Sequence, residues 1–293
     1  MRLVVVGAGG YIGRHLSSAA ARHGIATVEL SSGRPGGIDP ATGGLPRSFT
    51  LDAPADAVVY LSQWPTYNDG GATLGQLWSV NVASALAVAA AAREVGARRF
   101  VYASTGNVYA PSFSALGETS PVRRNNAYAL SKVHAEEALA LMRPNLETVS
   151  ARLFTVYGPG QSGRLIPNLI RSVLQGDAVT LQGRPERMDD DGLRLSVGYV
   201  DDVCECLLRL ATIPDPGPVI NVAGAQVLSV REIAGLIGSA LGKAVKIKQL
   251  DQPRAFDLVA DVSRLHRHCE PLPTQFDHGI ETTCRATMAA IRR

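Results

Sequence analysis

A glycine-rich turn directly after the first apolar segment is the feature that most constrains the fold of this chain. The segment at 3–6 is apolar, and Gly7, Gly10 and Gly13 follow it at three-residue spacing. Glycine permits a tight turn and lets the backbone approach a bound group closely. A helix that opens there offers free N–H groups and the positive end of its dipole to a phosphate. An ordinary strand-to-helix turn has similar glycines, but this position at the start of the chain favours a dinucleotide-binding loop.

Short β-branched segments alternate with longer alanine-rich segments through the first half of the chain. We predict strands at 3–6, 27–30, 57–61, 99–103 and 148–155, and helices at 11–23, 77–95 and 127–142. Strands that alternate with helices form βαβ units, and nearly continuous apolar strands are covered on both faces. The fold class is therefore α/β, with a doubly wound parallel sheet.

The pattern changes after residue 157, where glycine, proline and polar residues become more frequent. We predict helices at 166–174, 230–241 and 276–291, and strands at 197–200, 219–222 and 245–250. The strands at 197–200 and 219–222 are expected to return to the first sheet. We therefore predict a nucleotide domain at 1–157, with returning segments near 195–204 and 218–223. A smaller C-terminal α/β substrate domain would comprise 158–194 and 224–293.

Composition excludes several function classes. The formal net charge of +3 and the scattered basic residues do not indicate a nucleic-acid partner. We expect no membrane span, because no apolar run approaches the ~20 residues that a span requires. The four cysteines have no zinc-site spacing, so we predict no metal site and interpret them as reduced packing residues of a cytoplasmic protein.

Tyr128 and Lys132 stand four residues apart in a predicted helix, and this spacing places them on one face. A tyrosine has a pKa of about 10 and is a poor base at neutral pH, but a nearby cation stabilises its phenolate. A tyrosine in such a setting can exchange a proton with a carbinol or ketone oxygen. The pair occurs often by chance, so its meaning depends on the surrounding motifs.

The exit of the second strand bears on the choice of cofactor, because a carboxylate there favours NAD. The exit has Ser31, Ser32 and Arg34, and Glu29 lies within the strand. Small hydroxyl groups and an arginine can accept a 2′-phosphate, which favours NADP slightly over NAD. Arg34 can equally be a solvated loop residue.

Taken together, the segments resemble the extended short-chain dehydrogenase/reductase family, the NAD-dependent epimerase/dehydratase group, over almost the whole chain. The matching segments, in order, are 7–13, 59–62, 81–82, 103–109, 128–132, 152–159, 199–203, 221–222 and 228–232. The resemblance implies a Rossmann-like fold and NAD or NADP as cofactor. It assigns the acid/base role to Tyr128, the tuning of that tyrosine to Lys132 and a hydrogen bond to the reacting oxygen to Thr105. Ser104 is the less favoured alternative to Thr105.

The resemblance also implies a set of cofactor contacts and a substrate class. The cofactor contacts, besides Tyr128 and Lys132, would be Gly7, Gly10, Tyr11, Ile12, Gly13, Ser31, Ser32, Arg34, Leu61, Ser62 and Asn81. Arg254 and Asp257 resemble the Arg-x-x-Asp of UDP-galactose 4-epimerases, which holds a diphosphate and a nucleotide ribose, and Arg194 lies near the second phosphate arginine of that group. A surface ion pair between Arg254 and Asp257 is the alternative.

Three departures from the family pattern affect the expected reaction. Gly106 and Asn107 stand where 4,6-dehydratases carry Asp-Glu, so dehydration is disfavoured. Thr155 replaces a usual asparagine, which alters one expected substrate contact. The segment Tyr60-Leu61-Ser62-Gln63 stands where the family usually has His-Leu-Ala-Ala, and the aromatic loop after it at 64–68, beginning at Trp64, either lines the substrate pocket or packs against the fold. The acidic run at 189–191 is expected to be solvated and away from a bound diphosphate.

These observations lead to three hypotheses. The first is an epimerase that acts on a nucleotide-activated sugar through a transient ketone. The second is a ketoreductase or dehydrogenase on a sugar nucleotide or another small carbonyl compound, and the slight preference for NADP favours it. The third is a non-catalytic NAD(P)-sensing protein, which usually lacks the tyrosine or the lysine that this chain keeps. The resemblance further implies a homodimer, formed by the alanine-rich helices at 77–95 and 127–142.

Overall fold

The structure is a computed structural model that describes residues 1–34, 36–46, 49–65 and 73–291. Its strands, in chain order, are β1 (Arg2–Val6), β2 (Ala26–Leu30), β3 (Ala57–Tyr60), β4 (Arg99–Thr105), β5 (Glu147–Leu153), β6 (Thr155–Tyr157), β7 (Ala178–Gln182), β8 (Arg194–Tyr199), β9 (Val219–Val222), β10 (Val227–Ser229) and β11 (Lys246–Leu250). Its α-helices are α1 (Tyr11–Arg22), α2 (Leu74–Trp78), α3 (Ala85–Glu94), α4 (Ala127–Ala140), α5 (Leu165–Gln175), α6 (Val200–Leu210), α7 (Val230–Leu241) and α8 (Phe276–Ile291).

The main sheet has six parallel strands in the order β2-β1-β3-β4-β5-β9. Its strands are apolar on both faces because helices cover both faces. In β1, Leu3 and Val5 belong to one buried cluster, while Val4 and Val6 belong to the opposite one. This alternation follows from the two-residue period of a strand. The doubly wound α/β sheet is therefore present as predicted.

Two smaller sheets and a third buried cluster lie outside the main sheet. Strands β10-β8-β6 make one sheet, and β11 pairs with β7 in parallel in the other. Helices α5, α7 and α8 supply apolar side chains to the third cluster, including Ile170, Ile233 and Ile280. The boundaries at 157, 194 and 224 between two domains remain a prediction.

One of the two returning strands is placed differently from the prediction. Val219–Val222 joins the main sheet beside β5, as expected. A strand does cover 197–199, but its predicted place in the main sheet is wrong, because β8 pairs with β6 and β10, and Val200 begins α6. The chain returns to the main sheet through this helix, whose Cys204 and Leu207 pack in the first buried cluster with Leu16 of α1.

The predicted strand at 148–155 is interrupted in the structure. Strand β5 ends at Leu153 and β6 begins at Thr155, with buried Phe154 between them. The break lets β5 stay in the main sheet while β6 pairs with β8. The chain therefore leaves the main sheet two residues earlier than the apolar pattern suggests.

The helix predicted at 77–95 begins earlier and contains an irregular segment. A π-helical turn over Ser79–Ser84 joins α2 to α3. The continuous segment Leu74–Glu94 has 21 residues and is long and apolar enough, by length and composition, to span a membrane. The expectation that no apolar segment approaches this length is therefore corrected. Its buried residues, including Val80, Val88 and Ala92, pack on the sheet as core residues.

The four cysteines are free thiols, and Cys204, Cys206 and Cys284 are buried. Burial raises the pKa of the Cys284 thiol to about 11 and raises the pKa of Cys204 as well. A thiol with a raised pKa is a weak nucleophile, which agrees with a packing role for these two side chains.

Candidate active site

The glycine loop forms a close cradle between β1 and α1. Gly7 has a φ of +90°, and its N–H donates to the carbonyl oxygen of Leu30 at 2.7 Å. A Cβ on Gly13 would lie 2.2 Å from the Gly7 carbonyl oxygen, so only glycine fits there. Gly10 caps α1 without a side-chain hydrogen bond, which leaves the first-turn N–H groups open to an anion. The cradle and these donors fit a dinucleotide pyrophosphate.

The exit of β2 lies against this loop. Ser31 Oγ accepts a hydrogen bond from the Gly9 N–H at 3.0 Å, and Arg34 is exposed. Arg14 of α1 donates from Nη1 to the Gly9 carbonyl at 2.6 Å. Sequence reasoning missed Arg14, although its position directly after Gly13 was a signal that it lies at the loop.

The exit of β3 closes the other side of the loop. A Cβ on Gly7 would lie 2.9 Å from the backbone nitrogen of Ser62, so Ser62 lies against the loop, and its predicted contact with the cofactor remains a prediction. Gln63, the next residue, accepts a hydrogen bond at Oε1 from the Tyr128 hydroxyl at 3.1 Å. Sequence reasoning noted Gln63 only as a departure from the family pattern and assigned it no role.

Helix α4 presents both members of the predicted pair. Asn126 caps the helix by accepting the Ala129 N–H at 3.0 Å, which places Tyr128 in the first turn. Lys132 is buried, and its Nζ donates to the Ala103 carbonyl oxygen at 2.8 Å and lies 4.7 Å from the Tyr102 ring centroid. Burial lowers the pKa of Lys132 to about 7, opposed by the nearby Glu136 carboxylate.

The end of β4 distinguishes the two candidate hydroxyls. Successive strand residues point to opposite faces. Ser104 donates to Glu136, whereas Thr105 Oγ1 accepts the Asn107 N–H at 3.1 Å and caps the turn that follows. The Ser104 hydroxyl is thus committed to a structural partner, which supports Thr105 as the reacting-site hydroxyl.

A buried ion pair lies behind α4, and sequence reasoning missed it. Arg152 Nη2 donates to Glu136 Oε2 at 2.6 Å, and both side chains are almost fully buried. Glu136 follows Lys132 by four residues, so the helical period was the available signal. The pair fixes α4 against β5, on which Arg152 lies.

Asn81 connects the β3 exit to α4. It is fully buried in the π-helical turn, and its Nδ2 donates to Ser131 Oγ at 2.9 Å. Its Oδ1 accepts the Trp64 N–H at 3.4 Å. In the part of the chain that the structure describes, Trp64 Nε1 is buried without a hydrogen-bond partner. Residues 66–68 of the predicted aromatic loop lie outside the described residues.

A second group of predicted residues lines a cavity of about 350 Å³. Arg194 and Arg254 both border it, as the diphosphate prediction requires, and Arg184 and Arg187 add two further cations. Thr155 lies elsewhere, half-buried at the start of β6.

The pair Arg254 and Asp257 is buried rather than exposed. Arg254 Nε donates to Asp257 Oδ1 at 2.9 Å, and the side chains are 4% and 0% exposed. Asp257 also accepts from Arg184 Nη2 at 2.5 Å and from the Arg194 backbone N–H at 3.0 Å. The alternative of a surface ion pair is therefore wrong. With three donors on it, Asp257 orients the arginines of the cavity.

The acidic run does not lie away from this cavity. Asp190 and Asp191 both border it, which corrects the expectation that the run lies away from the phosphate site. Asp189 and Asp191 are exposed, as expected, whereas Asp190 is not. Asp190 Oδ1 and Oδ2 lie 2.7 and 2.8 Å from Arg254 Nη1. Asp191 pairs with Arg231 at 2.8 Å. The expectation considered the repulsion between the acidic run and a diphosphate but not the ion pairs that the run makes with these arginines.

Comparison with known proteins identifies the family. The family described as the NAD dependent epimerase/dehydratase family matches residues 3–223. The chain belongs to this family. The match confirms the resemblance inferred from the sequence and the predicted enzyme class, that of the extended short-chain dehydrogenases/reductases. The residue-by-residue roles remain predictions.

Individual relatives in this family carry different activities. The chain is 30% identical over 209 residues to a dTDP-4-dehydro-6-deoxy-D-allose reductase of Streptomyces sp, a match that covers 66% of this chain and 62% of the reductase. It is 29% identical over 236 residues to a dTDP-4-dehydrorhamnose reductase of Mycobacterium tuberculosis, covering 78% of this chain and 71% of that protein. The UDP-glucose 4-epimerase of Thermus thermophilus, solved in complex with NAD, has 25% identity and a TM-score of 0.77 over 99% of this chain and 100% of its own.

Proposed function

We propose that this protein catalyses NAD(P)-dependent oxidation and reduction at a carbinol carbon of a nucleotide-activated sugar. The observation that carries the proposal is the attachment of α4 to the end of β4 by the 2.8 Å hydrogen bond from Lys132 Nζ to Ala103. This bond holds Tyr128, one turn away on α4, in the region where Thr105 ends its strand.

Each residue has a distinct role in the proposed mechanism. Tyr128 removes or returns the proton of the substrate hydroxyl, and Thr105 donates a hydrogen bond to the same oxygen. The ammonium of Lys132 stabilises the phenolate of Tyr128. The loop of Gly7, Gly10 and Gly13 would hold NAD or NADP, which supplies a hydride acceptor and donor when bound.

Epimerisation is our first candidate for the net reaction. A transient ketone, formed and reduced from the opposite face, needs only the tyrosine, the lysine, the threonine and a retained cofactor. The absence of carboxylates at Gly106 and Asn107 removes the groups that would eliminate water. The structural similarity to a UDP-glucose 4-epimerase across 99% of the chain supports this candidate.

Reduction of a keto-sugar nucleotide is the second candidate. The two curated relatives above are both reductases of dTDP-linked keto-sugars. Ser31, Ser32 and Arg34 at the β2 exit leave room for the 2′-phosphate of NADP, and a net reduction requires a cofactor that exchanges. The T. thermophilus relative was solved with NAD, so we propose that both cofactors be tested separately.

One assay separates the two candidates. Purified protein is incubated with a panel of UDP- and dTDP-sugars and their 4-keto derivatives, with NAD(H) and NADP(H) in separate reactions. Epimerisation predicts a stereoisomeric product without a net change in reduced cofactor. Stoichiometric consumption of NADH or NADPH with a keto-sugar would overturn epimerisation and support reduction. The same panel of substrates and cofactors, assayed with the Thr105→Val variant, tests whether product formation depends on the proposed site.

The Arg254 cavity is proposed to hold the diphosphate of the substrate. Four arginines line it, and guanidinium groups match phosphate geometry. Asp257 also borders a small recess with Gly106 and Asn107, which follow the catalytic strand. Asp257 therefore lies between the arginine cavity and the turn after Thr105. A nucleotide sugar could thus place its sugar at Thr105 and its diphosphate at Arg254.

A further inference from the structure

The contacts of Arg254 suggest that a side chain of this protein competes with a diphosphate for the proposed binding cavity. The Arg254 side chain is 4% exposed, and its three nitrogens have unequal partners. Nε binds Asp257, while Nη1 binds Asp190 and, at 3.0 Å, the carbonyl oxygen of Gln182. Nη2 is buried and has no hydrogen-bond partner in the described part of the chain. The guanidinium therefore keeps one unused donor beside the Asp190 carboxylate.

Asp190 is held on Arg254 in its charged form. Its side chain is 15% exposed, and its Oδ1 accepts the Gly192 N–H at 2.9 Å. Burial by itself would raise the pKa of Asp190, but the hydrogen bond from Arg254 outweighs it, so the pKa lies below its usual value. Asp190 is thus an anion at neutral pH, at the arginine where we place the substrate phosphate.

The other two aspartates of the run differ from Asp190. Asp189 is 89% exposed, and its ion pair to Arg187 is 3.8 Å long. Asp191 pairs with Arg231 outside the Arg254 cluster, and its backbone carbonyl accepts the Arg231 N–H. Asp190 is therefore the aspartate of this run that forms an ion pair with Arg254.

The charge balance of the cavity explains why this contact matters. Four arginines and three carboxylates line it, namely Arg184, Arg187, Arg194, Arg254, Asp190, Asp191 and Glu232. With all three carboxylates in place, little net positive charge remains for a diphosphate. Removal of the Asp190 carboxylate frees donor capacity on Nη1 beside Nη2, which is already unpartnered among the described residues, so the two terminal nitrogens can make a bidentate contact.

We propose that Asp190 is an internal anion that occupies Arg254 and has to leave it before a substrate diphosphate binds. The inference rests on the proposed diphosphate role of the cavity. The loop that carries Asp190 ends near Gly192, whose φ of +82° lies in the left-handed region that favours glycine. The ion pair between Asp190 and Arg254 lowers the affinity of the cavity for anionic ligands, and a weaker ion pair raises that affinity.

Calorimetric titration with inorganic diphosphate tests the proposal on the full chain. Asp190→Asn keeps the shape of the side chain and one acceptor oxygen but removes its charge. We expect it to bind diphosphate at least about fivefold more tightly than the wild type at neutral pH. Asp189→Asn removes the same charge from the exposed neighbour, so the affinity of this variant for diphosphate should stay within about twofold of the wild-type value. Equal or weaker binding by Asp190→Asn, or no binding by any of the three proteins, would overturn the proposal.

Hydrogen exchange on the wild type provides a second measurement that needs no substitution. The Gly192 N–H loses its acceptor when Asp190 leaves Arg254, so its exchange should accelerate on addition of diphosphate. Unchanged or slower exchange in a diphosphate-saturated sample would contradict displacement. Both measurements are independent of redox turnover. A failure of catalysis with successful displacement would therefore reject the proposed reaction and leave this inference standing.

Discussion

Lys132 of α4 donates a 2.8 Å hydrogen bond from Nζ to the carbonyl oxygen of Ala103 in β4. This contact joins the helix that carries Tyr128 to the strand that ends at Thr105. It also explains how a buried lysine is tolerated, because the ammonium has a carbonyl acceptor, the Tyr102 ring and the Glu136 charge nearby. The catalytic proposal depends on this arrangement.

The burial of Lys132 predicts a pH dependence of stability. Its pKa falls to about 7 in the folded chain, against about 10.4 in an unfolded chain. Between these values the unfolded state binds the proton more tightly, so the free energy of unfolding rises with pH across that window. Lys132→Met should reduce this slope by up to about 1.4 kcal/mol per pH unit. Urea unfolding at several pH values in the window measures it, with exposed Lys243→Met as control. Equal slopes for wild type and Lys132→Met would contradict the assignment.

The contact between Gly13 and Gly7 predicts a strict glycine requirement. Gly13→Ala should cost about 1–3 kcal/mol, because its Cβ would overlap the Gly7 carbonyl, and it should weaken cofactor binding at least about tenfold. Among the described residues, no atom lies within 4 Å of a Cβ added at Gly75 in α2, so Gly75→Ala should be neutral or stabilise by up to about 1 kcal/mol. Urea unfolding and calorimetry with NAD and NADP measure both effects. Unimpaired cofactor binding by Gly13→Ala would reject the cradle.

The hydrogen bond between Tyr128 and Gln63 predicts that Gln63 orients the phenol. Gln63→Ala should lower kcat by about three- to tenfold, since a loosely held acid/base group reacts less often, while cofactor affinity stays within about twofold. Gln275→Ala, at an exposed glutamine before α8, is the control and should keep wild-type kcat. Steady-state kinetics with separate kcat and KM values decide the point. An unchanged kcat in Gln63→Ala would show that the bond has no role in turnover.

The predicted homodimer can be tested on its expected helix face. Ala83 and Ala87 are exposed on the segment that ends in α3, and small residues permit close helix packing. Ala87→Arg should convert a dimer to a monomer at micromolar concentration in light scattering. Ala289→Arg, at an exposed position near the end of α8, should leave the dimer intact. A monomeric wild type would contradict the prediction.

The sequence predicted those features that depend on local patterns. The glycine spacing placed the turn between β1 and α1, and the four-residue spacing placed Tyr128 and Lys132 on one helix. Neighbouring residues alone determine these two features. The parallel arrangement of the strands followed from the alternation of strands and helices along the chain, because a helix between two strands returns the chain to the same end of the sheet.

Features set by distant contacts were not predictable in the same way. The pairing of β8 with β6 and β10 depends on residues far apart in the chain, so its apolar pattern suggested the wrong sheet. Asp190 looked like a solvated residue because its partner, Arg254, lies 64 positions later. Gln63 reaches Tyr128 across 65 positions, and no periodicity links the two.

The most direct test of the central claim is turnover of Tyr128→Phe, assayed with the nucleotide-sugar and cofactor combination that the wild type accepts. The variant keeps the ring and loses only the hydroxyl that moves the proton. We predict a loss of turnover of about 10²–10⁴-fold, with NAD(P) affinity within about threefold of the wild type. Turnover within about tenfold of the wild type would contradict the acid/base role of Tyr128.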